Sequence, residues 1–359
     1  MHKARCKAVA RLFAARGVVC AALIASAQLV SGAEAVSTPR KAEQLKKPEL
    51  VFRFALQPNP PNKVWEAANL VRGELERLSG GRIQVMFYDS GVLGAERQLL
   101  EACYLGVIEM VQCTSSVVTT IDPTFSLLDM PYLFVSEEHH LKVMNGPIGR
   151  EWLEGLRRHR LQGLAFYSCG FRHMFNSKGR AIRTPADLQG LKIRVMESPV
   201  MIQSINAMGA SATPMTASEL FQALKTGVVD GAENNPNVFI SDKFYEADCR
   251  NFSFTRHFAN QHVLLVNRDW FDRLGKTHPD LQQLIRDVPR DILPEYDRRW
   301  EIAVEEAVKE IEARGVKINQ IDDVKPFIER VQGVYDEFFK KYPQVPRNLV
   351  DRVRKEAGL

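Results

Sequence analysis

No Cys-x-x-Cys pair, no His-x-x-x-His pair and no Gly-x-Ser-x-Gly turn occurs in the 359 residues. Their absence removes the usual signatures of redox, zinc-dependent and serine-hydrolase chemistry. Gly275-Lys-Thr277 imitates the tail of a phosphate-binding loop, but Trp270 stands where the first glycine is needed, so the segment reads as a plain loop. The eight histidines are scattered, and His139-His140 falls at a polar helix start without carboxylates spaced for a metal. No metal and no cofactor is expected. An excess of one charge is lacking too. Lys and Arg number 48 against 43 Asp and Glu, and five of those bases lie in residues 1–35 with a single acid. The remaining chain is close to neutral and shows no nucleic-acid footprint. Of six cysteines, Cys103, Cys113, Cys169 and Cys249 lie beyond that segment. They allow three pairings, and their wide spacing argues against a scaffold that depends on disulfides.

Long apolar runs are missing apart from Val18–Val30, which is too short for a comfortable membrane span. A basic start precedes it, and small residues follow at Ser31-Gly-Ala33 and Ala33-Glu-Ala35. This is the pattern of a secretory leader over residues 1–35, cleaved after Ala33 or Ala35. An exported, soluble mature protein is expected.

The chain is long enough for two domains, since single cores stop growing near ~250–300 residues. Phe52, Phe54 and Leu56 alternate as in a strand, and Trp65, Ala68, Val71, Leu75 and Leu78 recur at helical spacing before Ser79-Gly-Gly81. A strand at Ile83–Phe87, a helix at Ala95–Leu105 and a strand at Ile108–Cys113 continue a β-α-β-α-β order, which indicates a largely parallel sheet. A second such series follows. Two strands are read at Gly163–Ser168 and Phe171–Phe175, then one at Leu191–Met196, helices at Pro199–Met208 and Ala217–Lys225, and strands at Val228–Val229 and Val263–Val266. From Pro294 one long helical stripe carries Trp300, Val304, Ala307, Val308 and Ile311. Its length of ~30 Å suffices to lie across two domains. The expected architecture is α/β with two lobes, a ligand cleft between them and a long helix bridging both. Residues 36–169 with 260–299 form one lobe, and 170–259 with 300–359 the other.

The candidate site residues sit at strand ends. In Gly190-Leu-Lys-Ile-Arg194-Val, Arg194 lies near the carboxyl end of a strand, and Ser198-Pro199 then reads as an N-cap followed by proline at the first helical position. A guanidinium beside a helix start can hold an anion, although a surface arginine after an edge strand fits the same pattern. Arg172 follows Gly170 at another strand end and reads either as a second carboxylate grip or as half of a surface salt bridge. Asn234, in Asp230-Gly-Ala-Glu-Asn234, offers a donor and an acceptor, or forms a turn; Asn235 reads as structural.

These runs, with Gly209-Ala-Ser-Ala-Thr-Pro-Met215, Leu93-Gly-Ala-Glu96-Arg97 and Lys243-Phe-Tyr-Glu246, resemble the solute-binding proteins of TRAP (tripartite ATP-independent periplasmic) transporters over essentially the whole mature chain. The resemblance implies a two-lobed periplasmic-binding-protein fold that closes over an organic acid and delivers it to a membrane permease. It implies that Arg194 takes the ligand carboxylate in a bidentate salt bridge, with Arg172 and Asn234 at the same end. Glu96 and Glu197 fall where sugar-acid-binding members place polar groups for hydroxyls, Thr114 stands where sialic-acid binders carry a glutamate, and Gln261-His262 replaces the Pro-Asp of many uronate binders; Thr114 and His262 are counted with the ligand-binding residues. A sugar acid such as a uronate is therefore the expected ligand. A C4-dicarboxylate is the alternative, or an aromatic acid if Phe171, Phe239 and Phe258 line the pocket. A two-lobed secreted enzyme is a further alternative, for which the chain offers no nucleophile–base pair. A periplasmic monomer is expected.

Overall fold

The computed structural model describes residues 47–358. The leader expected at residues 1–35 lies outside the described residues. The backbone of the fold is a nine-stranded mixed sheet formed by β1 (Leu50–Leu56), β2 (Ile83–Tyr88), β3 (Met110–Thr114), β4 (Leu161–Asn176), β5 (Lys192–Val195), β6 (Ser211–Pro214), β7 (Gly231–Asn234), β8 (Asn251–Asn267) and β9 (Lys317–Asn319). Their order is β2-β1-β3-β8-β4-β7-β5-β6, with β9 beside β8. The expected parallel pairing holds within each end group, β1 with β2 and β3, and β5 with β6 and β7. The antiparallel pairs β3–β8, β4–β8 and β4–β7 join the two groups.

Helices start and stop where local chemistry directs. Asn62 accepts from the Val64 amide at 2.8 Å and opens the helix Lys63–Leu78. That helix buries Val64, Ala67, Ala68, Val71 and Leu75, a face rotated slightly from the expected stripe, so that Leu78 stays exposed. Pro199–Met208 and Ala217–Lys225 have the expected ends; Thr216 and Glu219 form a capping box on the second.

Two expectations are corrected at the centre of the sheet. The separate strands read at Gly163–Ser168 and Phe171–Phe175 are one strand, β4, buried along all 16 residues. Val263–Val266 is only the end of β8, which has 17 residues. The two pair along nearly their full length, from Leu161↔Asn267 to Asn176↔Asn251, with register shifts between Gly163 and Ala165, between Ser168 and Phe171 and between Arg172 and Met174. Gly170 takes φ +62° at the second of these, a conformation that a side chain would resist. A bulge adds a residue and breaks the period of two, so one continuous strand presents itself in sequence as two.

Other readings are also revised. The strand expected at Val228–Val229 begins at Gly231 instead. Gly275-Lys-Thr277 is the last turn of a helix, Arg268–Thr277, not a loop. His139 and His140 lie at the polar start of the helix Glu137–Asn145, as read, and both are buried there. The four cysteines within the described residues are free and buried.

The long helix Leu293–Ala313 ties the sheet together. Tyr296 and Trp300 pack in a core with Leu164, Tyr167 and Val266, whereas Ile311 packs in a second core with Phe175, Phe239, Phe244 and Phe252. Tyr296 also donates to the Ser168 carbonyl at 2.7 Å, close to the bulge in β4. One rigid element thus contacts the cores at both ends of the central strand pair. Among the described residues no helix is long and apolar enough to cross a membrane.

Candidate functional site

Where the two end groups of strands face each other, a cleft of about 970 Å³ opens. All seven residues singled out from the sequence line it: Arg194, Arg172, Asn234, Glu96, Glu197, Thr114 and His262. They come from distant parts of the chain. Register explains how they meet: Thr114 of β3 pairs with His262 of β8, Arg194 of β5 pairs with Ala232 of β7, and His173 of β4 pairs with Asn234.

The two arginines are held differently. Arg172 is 3% exposed and forms a buried ion pair with Glu233, which is 0% exposed. Its Nε donates to Glu233 Oε2, its Nη2 donates to Glu233 Oε1 at 3.0 Å and to the Glu233 carbonyl at 2.6 Å, and its Nη1 donates to Asn234 Oδ1 at 3.1 Å. The surface acid considered as a partner for Arg172 is therefore a core acid. Arg194, also 3% exposed, has no carboxylate within ion-pair distance among the described residues. Its Nε and Nη2 both donate to the Met215 carbonyl, at 3.0 and 2.7 Å. Burial, with the charge of Arg172 second, pulls its pKa down to about 10, so it stays cationic at neutral pH. A buried guanidinium with no carboxylate in contact, opening on a cleft, is suited to an anion.

Asn234 Oδ1 also accepts from the Asn235 amide at 2.9 Å, which leaves its Nδ2 as the donor available to a ligand. Asn235 is structural, as its side chain accepts from the Val238 amide at 2.9 Å and caps the helix Pro236–Ser241.

The opposite wall is rich in acceptors. Glu96 Oε2 accepts from Thr114 Oγ1 at 2.7 Å and from the Thr114 amide at 3.3 Å. Burial raises the Glu96 pKa, opposed by these bonds and by the two arginines. His262 Nε2 lies 3.9 Å from Glu96 Oε1. Burial, assisted by Arg172, drives the His262 pKa down to about 3, so the ring is neutral and presents one donor and one acceptor. Glu197 is exposed at the cleft edge. Gln57, Asn59 and Asn62 line the same space; the sequence reading passed over them because they sit in a proline-rich loop after β1. Phe171, Phe239 and Phe258 do not line it and are buried in the cores.

Glu233 and Asp129 are the residues that sequence reasoning missed. A charge within the four-residue run Gly231-Ala232-Glu233-Asn234, buried throughout, demands a partner. That signal was present beside Asn234. Asp129 gave none, because its partners are serines distant in sequence. It is buried and accepts from Ser116 Oγ and from Ser198 Oγ, both at 2.6 Å. Ser198 therefore precedes the helix as expected, but its side chain makes no cap bond and turns to Asp129 instead.

Burial pushes the Asp129 pKa up to about 6 from 3.8. The sign of the linkage is fixed by that direction. Between pH 4 and 6 the folded state binds more protons at this group than the unfolded state, so its contribution to stability is present at low pH and lost as pH rises. The ionised group costs about 3 kcal/mol at neutral pH on the scale of ~1.4 kcal/mol per pK unit. Asp129→Asn should therefore gain stability over the parent protein as pH rises from 4 to 7. Chemical denaturation of both across that range measures the difference, and a pH-independent difference would contradict a buried, titrating carboxylate.

Residues 54–342 match the family described as bacterial extracellular solute-binding protein, family 7. A solute-binding protein of Verminephrobacter eiseniae is 35% identical over 269 residues, covering 75% of this chain and 79% of that protein. A TRAP periplasmic solute-binding protein of Chromohalobacter salexigens, solved with bound D-glucuronate, superposes with a TM-score of 0.80 at 30% identity over 85% of this chain and 99% of that one. Another, from Xanthobacter autotrophicus with bound β-D-galacturonate, gives 0.78 at 30% identity over 85% and 98%. With the mixed sheet, the two-sided cleft and the buried arginines in place, the chain belongs to family 7 of the bacterial extracellular solute-binding proteins, the two-lobed receptors of TRAP transporters.

Proposed function

We propose that this receptor captures a sugar monoacid, a uronate such as D-glucuronate or D-galacturonate, and passes it to the membrane permease of a TRAP system. The observation that carries the reading is the charge balance of the cleft. Arg172 is ion-paired with Glu233, whereas Arg194 is buried with Glu233, Glu96 and Glu197 acting on it only from beyond ion-pair distance, so its donor fork can take one carboxylate. The polar part of the lining, which includes Glu96, Thr114, Glu197, His262, Asn59 and Asn62, offers acceptors and donors for hydroxyls, which a purely aliphatic acid would leave unpaired. A C4-dicarboxylate would carry its second charge toward Glu96 or Glu197. An aromatic acid would find Phe221 and Phe244 in the cleft, but none of Phe171, Phe239 and Phe258. The galacturonate- and glucuronate-bound relatives support the same class of ligand.

The same reading makes the protein a binding module without turnover, exported to the periplasm after loss of its leader and working as a monomer. Its lobes, 36–169 with 260–299 and 170–259 with 300–359, would hinge along β4 and β8. Calorimetry with D-glucuronate, D-galacturonate, succinate and benzoate is the test. Uronates should bind at micromolar concentration or tighter and remain chemically unchanged. Preference for succinate would overturn the sugar-acid reading, and product formation would overturn the receptor reading.

A further inference from the structure

Asp129 closes the short turn Pro123–Asp129 and uses each carboxylate oxygen once, Oδ1 for Ser116 and Oδ2 for Ser198. The serines come from opposite sides of the central β4–β8 pair. Ser116 lies just beyond β3, two residues after Thr114, and Ser198 lies just beyond β5, four residues after Arg194. A single buried carboxylate thus joins the wall bearing Glu96 and Thr114 to the wall bearing Arg194 and Glu197. The charged groups facing it are Arg172 and Glu233, already paired with each other. From β8 comes His257, kept neutral by burial, whose carbonyl accepts from the Tyr132 amide. The packed helices Ser115–Val118 and Pro199–Met208 bring no charged residue. An ionised group in this position lowers stability, and a buried polar junction can instead serve to fix geometry.

We propose that Asp129 is a positioning residue for ligand capture, a clasp that sets the Arg194 wall in register with the Thr114 wall so that one ligand meets both. The proposal rests on the cleft being the sugar-acid site. Protonation weakens the clasp, because both bonds lose the charge of the carboxylate and one reverses, the neutral carboxyl donating to a serine hydroxyl.

The test uses the mature protein with D-glucuronate, by calorimetry and stopped-flow. Asp129→Asn and Ser198→Ala should each bind roughly tenfold more weakly, as expected for loss of one hydrogen bond to a charged group. The loss should appear in the dissociation rate, and the double variant should be no weaker than Asp129→Asn alone. Parent affinity should fall more from pH 8 to pH 5 than that of Asp129→Asn, since Glu96, whose pKa burial raises, titrates in both. Binding within twofold of the parent in both variants, additive losses, or the same pH dependence in the parent and Asp129→Asn would each overturn the clasp. If the parent protein does not bind D-glucuronate, the ligand reading fails separately and hydrogen exchange on the free protein decides the clasp. Faster exchange in residues 115–118 and 196–204 of Asp129→Asn supports it, and unchanged exchange there overturns it. Should that variant not fold, Ser198→Ala with the same exchange measurement at residues 115–118 gives the same decision.

Discussion

Arg194→Ala should abolish useful binding of D-glucuronate, weakening it roughly 30-fold to several thousand-fold. The range corresponds to the ~2–5 kcal/mol that follows from leaving one member of a desolvated charge pair without its partner. The reason lies in how Arg194 is held. Its two bonds to the Met215 carbonyl fix the plane of the guanidinium, and burial removes the water that would otherwise screen it. A bound carboxylate then supplies the contacting counter-charge that the described residues do not. Arg194→Lys keeps the charge but loses the planar fork, so it should fall between the parent and the alanine variant. Calorimetry on both, with folding checked by thermal melts, measures the effect. A folded Arg194→Ala protein that binds within threefold of the parent would move the anchor to Arg172.

Glu233→Ala should act on stability first. Removing this acid leaves Arg172 as a buried cation with only the Glu233-position carbonyl and Asn234 to solvate it. Breaking a buried pair from one side costs ~3–5 kcal/mol. At a few degrees per kcal/mol for a chain of this size, the melting temperature should fall on the order of 5–15 °C. Glu233→Gln retains an acceptor and should lose less. Saturating D-glucuronate should raise the melting temperature of Glu233→Ala by more than it raises that of the parent, since the ligand carboxylate offers Arg172 a replacement charge. A variant that melts within 2 °C of the parent would show that the pair does not form in the folded protein.

Local signals were legible in proportion to how local their causes were. The helices Pro199–Met208 and Ala217–Lys225 were readable because proline at the first position and the Thr216–Glu219 capping box act within one turn. The long helix Leu293–Ala313 was readable because a 3.6-residue period persisted over five turns. The central strands were not. β4 is buried on both faces, so it lacks the alternation that marks a half-exposed strand, and its bulges interrupt what period remains. The burial of His139 and His140 was not legible for a related reason: hydrogen bonds to the Val353 carbonyl and to Gln261, far along the chain, satisfy them in the interior.

The sequence by itself determined most element types, the strand-end positions of Arg194 and Asn234, and a chain without the spacing of common catalytic motifs; Arg172, read at a strand end, lies inside the continuous β4. These follow from residue chemistry and short-range periodicity, which a linear reading contains. Only the tertiary structure decided that Arg172 is matched by Glu233 while Arg194 is not, that His262 is neutral, and that Asp129 joins two serines across the central strands. Each of these depends on which charges lie within a few ångströms and on how much water reaches them. Strand register and burial set those quantities when distant segments meet, and no stretch of the chain specifies them alone.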